Sequence, residues 1–129
     1  MIWFIALGGA LGSICRFLLT GVVQRQLGTD FPFGTLVVNV TGSLLLGVLL
    51  RYSLDTPGVS PEMRGLLATG FCGGYTTFST FSYETMALLQ AGDYRRAAGY
   101  ALASVVVSLL AMFAGLELAR VLIAARRAA

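Results

Sequence analysis

The chain has 129 residues, 57% of them apolar and only 12% charged, with a formal net charge of +3 and a mean hydropathy of +0.81. That is far more apolar than a soluble domain, and the charges fall between long neutral runs, so the composition describes an integral membrane protein with no soluble domain left over. There is no histidine, which excludes imidazole metal sites and histidine proton relays, and the nine basic residues are arginines that flank or interrupt the neutral runs, a pattern of membrane topology and not of nucleic-acid binding.

The neutral runs predict an all-α membrane protein: one transmembrane domain over residues 1–129, with four helices over about 2–25, 32–51, 61–90 and 94–123. Each is long enough for a ~30 Å hydrocarbon core, which takes about 20 residues. The first lacks a basic leader and a small residue before a processing site, so it reads as a retained helix and not as a signal peptide. Its Gly8 and Gly12 form a small-xxx-small face suited to close helix contact. Arg16 interrupts the same helix; a charge there is costly, so it should either snorkel to an interface or line an aqueous vestibule. Cys15 and Cys72 both fall at membrane depth and read as packing thiols.

Gly28 to Pro32 reads as a turn into helix 2, with Thr29 or Asp30 as cap. Helix 2 then places Thr35, Asn39 and Ser43 at i, i+4 and i+8, one polar stripe on an apolar rod. Asn39 needs hydrogen-bond partners, either on another helix or on an ion. Ser60-Pro61-Glu62 is a helix start with Ser as cap and Pro in the first turn. Helix 3 then enters Gly70-Phe71-Cys72-Gly73-Gly74-Tyr75-Thr76-Thr77-Phe78-Ser79-Thr80-Phe81-Ser82-Tyr83-Glu84, a stretch badly suited to a plain membrane helix. Two glycines lower helix propensity, and five hydroxyls follow where lipid would penalise them. A break near Gly73 to Thr76 is expected, at the centre of the helix, facing protein or water and not lipid. Beyond it, Phe78 and Phe81 share one face, while Thr77, Thr80 and Glu84 share another. Helix 4 repeats the stripe of helix 2 with Tyr100, Ser104 and Ser108 at i, i+4 and i+8.

Four spans put both termini on one side. That side collects Arg51, Arg64, Arg120, Arg126 and Arg127 against Arg25, Arg95 and Arg96 opposite, a weak bias that specifies orientation poorly. A chain that inserts both ways can form an antiparallel dimer with a two-fold axis in the membrane plane. No carboxylate pair, nucleophile-base set, phosphate loop or metal-ligand cluster is visible, so transport is expected and enzymatic chemistry is not. The residues alone leave the sign of the ion open. Amide hydrogens and phenyl ring edges favour an anion; ring faces favour a cation.

The helix 3 stretch from Gly70 to Ser82, together with Gly34-Thr35-Leu36-Val37-Val38-Asn39-Val40-Thr41-Gly42-Ser43 and Gly8-Gly9-Ala10-Leu11-Gly12 through Arg16, resembles the Fluc (CrcB) family of fluoride channels. The resemblance covers all four helices in order. It implies an antiparallel, dual-topology homodimer in the plasma (inner) membrane, with two fluoride pores, a sodium ion at its centre and passive export of fluoride as its task. By the same resemblance Phe78 and Phe81 are the pore phenylalanines, Asn39 the helix 2 amide near them, and Tyr100, Ser104 and Ser108 the polar track, with Thr35 and Ser43 beside it. Gly73 and Thr76 would supply backbone carbonyls to sodium, and Arg16 and Glu84 would stand at a vestibule or pore mouth. Two other transporters have a similar outline: a small cation channel, which would use the same hydroxyls, and a multidrug-type antiporter, which needs an acid in helix 1 where this chain has only Arg16.

Overall fold

In the computed structural model, which describes residues 1–128, every regular element is helical. Helix α1 covers Ile2–Leu27, α2 Phe33–Asp55, α3 Pro61–Arg64, α4 Gly73–Tyr75, α5 Phe78–Gln90 and α6 Tyr94–Ala128, and Gly65–Cys72 joins α3 to α4 as a run of wide, π-helical turns. The chain thus has four helical segments, the third of which, residues 61–90, is bent and interrupted. Helices α1, α2 and α6 are each long and apolar enough to cross a membrane.

The ends follow local chemistry. α1 stops at Gly28, which takes a left-handed conformation (φ 57°) and returns its amide to the Gln24 carbonyl at 3.1 Å. α2 continues past Arg51 to Asp55 and stops where Pro57 holds Thr56 extended. Ser60 caps α3 by accepting the Met63 amide at 3.2 Å, with Pro61 at the first position. α6 runs beyond Ile123 to Ala128 because its Ala- and Arg-rich end favours helix.

Two close backbone contacts organise the bundle. α1 lies directly on the wide-turn segment: a methyl group on Gly8 would run into the Leu66 carbonyl, one on Gly12 into the Phe71 carbonyl, and one on Gly74 into the Gly9 carbonyl. Helices α2 and α6 run parallel, with Gly47 against the Met112 carbonyl and Gly115 against the Leu44 carbonyl. In both places small residues bring main chains into contact, which substitutes for the hydrophobic drive that lipid removes.

The interruption falls at Thr76 (φ −82°, ψ 160°) and Thr77 (φ −152°, ψ 119°), at the far end of the expected stretch. Gly73 and Gly74 themselves stay helical. Gly74 serves close packing on α1, so its missing side chain is used for approach and not for a bend.

Gly12→Ile should therefore cost about 1–3 kcal/mol through overpacking, whereas Gly99→Ala, in a helix with open space around it, should gain about 0.5–1 kcal/mol; denaturation of the purified protein in detergent measures both.

Candidate functional site

Asn39 holds the break open. Its Oδ1 accepts the Thr77 amide at 2.7 Å and its Nδ2 donates to the Thr77 carbonyl at 3.0 Å. In an unbroken helix that amide would return to the Gly73 carbonyl. Here it is diverted, and Gly73 is left without its helical donor and with open space beside it. Thr76 closes α4 instead, donating to the Cys72 carbonyl through both its amide (3.0 Å) and its hydroxyl (2.9 Å). Thr77 then starts α5 as its cap, its hydroxyl accepting the Thr80 amide at 3.2 Å.

Helix α1 serves the freed carbonyls from the other side. Arg16 Nη1 donates to the Thr76 carbonyl at 3.3 Å, and Ser13 Oγ to the Gly74 carbonyl at 3.4 Å. The Arg16 side chain is half-buried and lines a cavity of about 670 Å³ with Thr20, Gln24, Thr35 and Thr80. The guanidinium points at the break, where carbonyl dipoles compensate its charge.

The two polar stripes face one another because α2 and α6 run parallel, so equal spacings stay in register. At one level Glu84 joins them, with Thr35 Oγ1 donating to Oε1 at 2.8 Å and Tyr100 Oη to Oε2 at 2.7 Å. Tyr100 and Thr35 are fully buried. Phe31 lies T-shaped to the Tyr100 ring at 5.6 Å and Phe81 lies against it at 5.3 Å, so the ring of the tyrosine that holds the carboxylate is packed between two phenylalanines. At the next level Asn39, Ser43, Phe78, Phe81, Ser104 and Ser108 line a cleft of about 310 Å³. The Phe78 and Phe81 rings are 5.5 Å apart and tilted by 45°. Phe78 is 78% exposed, on the outer side of the cleft. The hydroxyls of Ser104 and Ser108 are buried there without any hydrogen-bond partner. A buried hydroxyl left unpaired costs about 1–3 kcal/mol, so the two serines offer hydrogen-bonding capacity to whatever occupies the cleft.

The structure thus gathers Thr35, Glu84 and Tyr100 in one cluster and Asn39, Ser43, Phe78, Phe81, Ser104 and Ser108 in a second, with Arg16, Gly73 and Thr76 around the break. Sequence reasoning missed Thr77 as a member of the site. The signal was present in Thr77-Phe78-Ser79-Thr80, a capping threonine followed three residues later by the residue whose amide it binds. Of the two cysteines, Cys72 is buried, but Cys15 is exposed on α1. No group of three or more acids or cysteines able to hold a metal occurs among the described residues.

The sequence model of the CrcB-like protein family (Camphor Resistance, CrcB) matches residues 3–116. The chain belongs to this family. It is 48% identical to the "Fluoride-specific ion channel FluC" of Rhizobium meliloti over 122 residues, 95% of this chain and 98% of that one. The protein of the same description in Geobacter metallireducens is 50% identical over 90% of this chain and 94% of its own length. That in Anaeromyxobacter is 49% identical over 90% and 92%. The CrcB match includes α1, α2, the interrupted segment and most of α6, and therefore every residue of both clusters.

Asn39→Ala removes both partners of the Thr77 main chain at a buried position, so a loss of about 1–3 kcal/mol and faster amide exchange across residues 73–80 are expected by hydrogen–deuterium exchange; Ser82→Ala, on a side chain that bonds only within its own helix, should change neither.

Proposed function

We propose that the protein is a fluoride-specific ion channel that lets fluoride leave the cytoplasm passively through the plasma (inner) membrane. The observation that carries the reading is the pair of buried, unpartnered serine hydroxyls of Ser104 and Ser108 in the cleft lined by Phe78, Phe81 and Asn39. Moving even a carboxylate-sized ion from water to a medium of ε ≈ 4 costs on the order of 20 kcal/mol, and fluoride is smaller. A route for it must replace water at each step, with donors that do not grip.

Hydroxyls, one spare amide hydrogen of Asn39 and the positive edges of phenyl rings meet that need, since none of them carries a charge that would trap the ion. Thr35 and Tyr100 already donate to the Glu84 carboxylate, so an arriving anion competes with that carboxylate for the same two donors and is admitted only as the carboxylate yields them. Arg16 stands on the side of the large cavity, where a positive charge raises the local anion concentration. The description shared by the R. meliloti, G. metallireducens and Anaeromyxobacter relatives supports the same reading. Within it the chain is a channel, and no residue is assigned a catalytic role.

The working unit in this reading is an antiparallel, dual-topology homodimer with two pores. Its support is the weak arginine bias between the two ends and the open side of the break at Gly73. The carbonyls of Gly73 and Thr76 would hold a sodium ion, a pair from each copy; diversion of the Thr77 amide to Asn39 is what makes the Gly73 oxygen fit for it. When bound, the cation would neutralise converging carbonyl dipoles between the copies.

Fluoride-electrode efflux from proteoliposomes tests the conduction reading: Phe81→Ile and Ser104→Ala should each slow efflux about tenfold or more, the size of one lost contact of ~1.4 kcal/mol, while chloride flux stays at background. Unchanged rates would remove the ring edge and the hydroxyl from the route. For the dimer, with Cys15 and Cys72 replaced by alanine, a single cysteine introduced at Ala128 should react with membrane-impermeant reagent from both sides of the membrane; reaction from one side only rules out dual insertion.

A further inference from the structure

The end of the molecule formed by the last turns of α2 and α6 carries more positive charge than its acids neutralise. Arg126 Nη1 donates to the Tyr52 hydroxyl at 2.6 Å, Arg127 Nη2 to the Asp55 carbonyl at 3.2 Å, and Arg64 Nη2 to the Ser53 carbonyl. All three acceptors are neutral, and the Nε of Arg64 is buried without a partner. Asp55 is the acid at hand, and Arg51 already pairs with it. The C-terminal carbonyls of α2 account for one nearby cation as a cap. They do not account for three that contact residues of the same turn, and two of these, Arg126 and Arg127, line one cavity with donors to spare.

The depth of this cluster says which anion. The 23 residues of α2 rise about 35 Å, slightly more than the ~30 Å core, so Tyr52 and Asp55 emerge at the level of lipid headgroups. The contacts of Arg126 and Arg127 with those two residues fix the end of α6 at the same level, although α6 is much the longer helix. Between them opens a cavity of about 240 Å³ lined by Tyr52, Asp55, Ile123, Arg126 and Arg127. One turn deeper, Val121 and Leu122 are exposed on α6 and offer acyl chains an apolar flank.

We propose that this cavity binds the phosphate of an anionic phospholipid, with Arg126 and Arg127 as its ligands. Each guanidinium carries five donors and spends one on the protein, which leaves the fork that takes phosphate oxygens in pairs. A basic pocket between helix ends at headgroup depth is a natural seat for such a headgroup. Lipid binding here is separate from conduction, because neither arginine touches the cleft or the break.

The purified protein is heated in dodecyl maltoside with added phosphatidylglycerol, phosphatidylcholine or inorganic phosphate. Phosphatidylglycerol should raise the unfolding temperature by about 4 °C or more above phosphatidylcholine, and inorganic phosphate at the same concentration should not. The double variant Arg126→Gln, Arg127→Gln should lose that increment while its unfolding temperature in phosphatidylcholine and its fluoride efflux stay near the parent's. An undiminished increment in the double variant overturns the site, and an equal shift from inorganic phosphate overturns the lipid as its ligand. If the double variant proves unstable, Arg126→Gln alone decides, read by the phosphatidylglycerol retained in native mass spectrometry: less than the parent's supports the site, and the same amount overturns it.

Discussion

One carboxamide holds the centre of this protein in its unusual shape. A helix interrupted at membrane depth exposes an amide and carbonyls that lipid cannot satisfy. Asn39 supplies both halves of what Thr77 lacks, and the rest of the site depends on that exchange. With the Thr77 amide taken, α4 ends, the chain turns, and α5 restarts on a new axis with Thr77 as its own cap. The phenylalanines, which follow immediately, are aimed by that restart.

The close contacts elsewhere support the same centre. Glycines on α1 and on the wide-turn segment press two backbones together, so that Ser13 and Arg16 reach carbonyls beside the break. Gly47 and Gly115 do the same for α2 and α6, which fixes two parallel helices in register. Matching stripes then oppose one another along their length. One level is satisfied internally by Glu84, and the next is left with two buried hydroxyls that have no partner. A satisfied polar cluster thus lies directly beside an unsatisfied one.

Four of the nine arginines separate into two kinds by what they face. Arg16 is inside, against a carbonyl of the break, and belongs to the site. Arg64, Arg126 and Arg127 gather at the end of α2, where helix length puts them at headgroup depth, and the last two face the cavity proposed for a lipid phosphate.

Neutral runs, the period of 3.6 and the capping residues are local properties, so the four helical segments, the two stripes and the interrupted third segment could be read from the residues in order. The motif from Gly70 to Ser82 carried the family as well. The break itself was expected partly on Gly73 and Gly74, because glycine in a helix reads as a weak point. Glycine also permits close approach, and which use applies depends on what lies opposite. Here Gly9 lies opposite Gly74, so the pair stays helical. What bends the chain is Asn39, 38 residues away from Thr77, and what occupies Thr35 and Tyr100 is Glu84, brought in by α5. Residue types and their spacing along one helix decided which groups were available; only the packing of one helix on another decided which groups were used up and which were left free, because hydrogen-bond partners at this depth are chosen by distance in space and not in sequence.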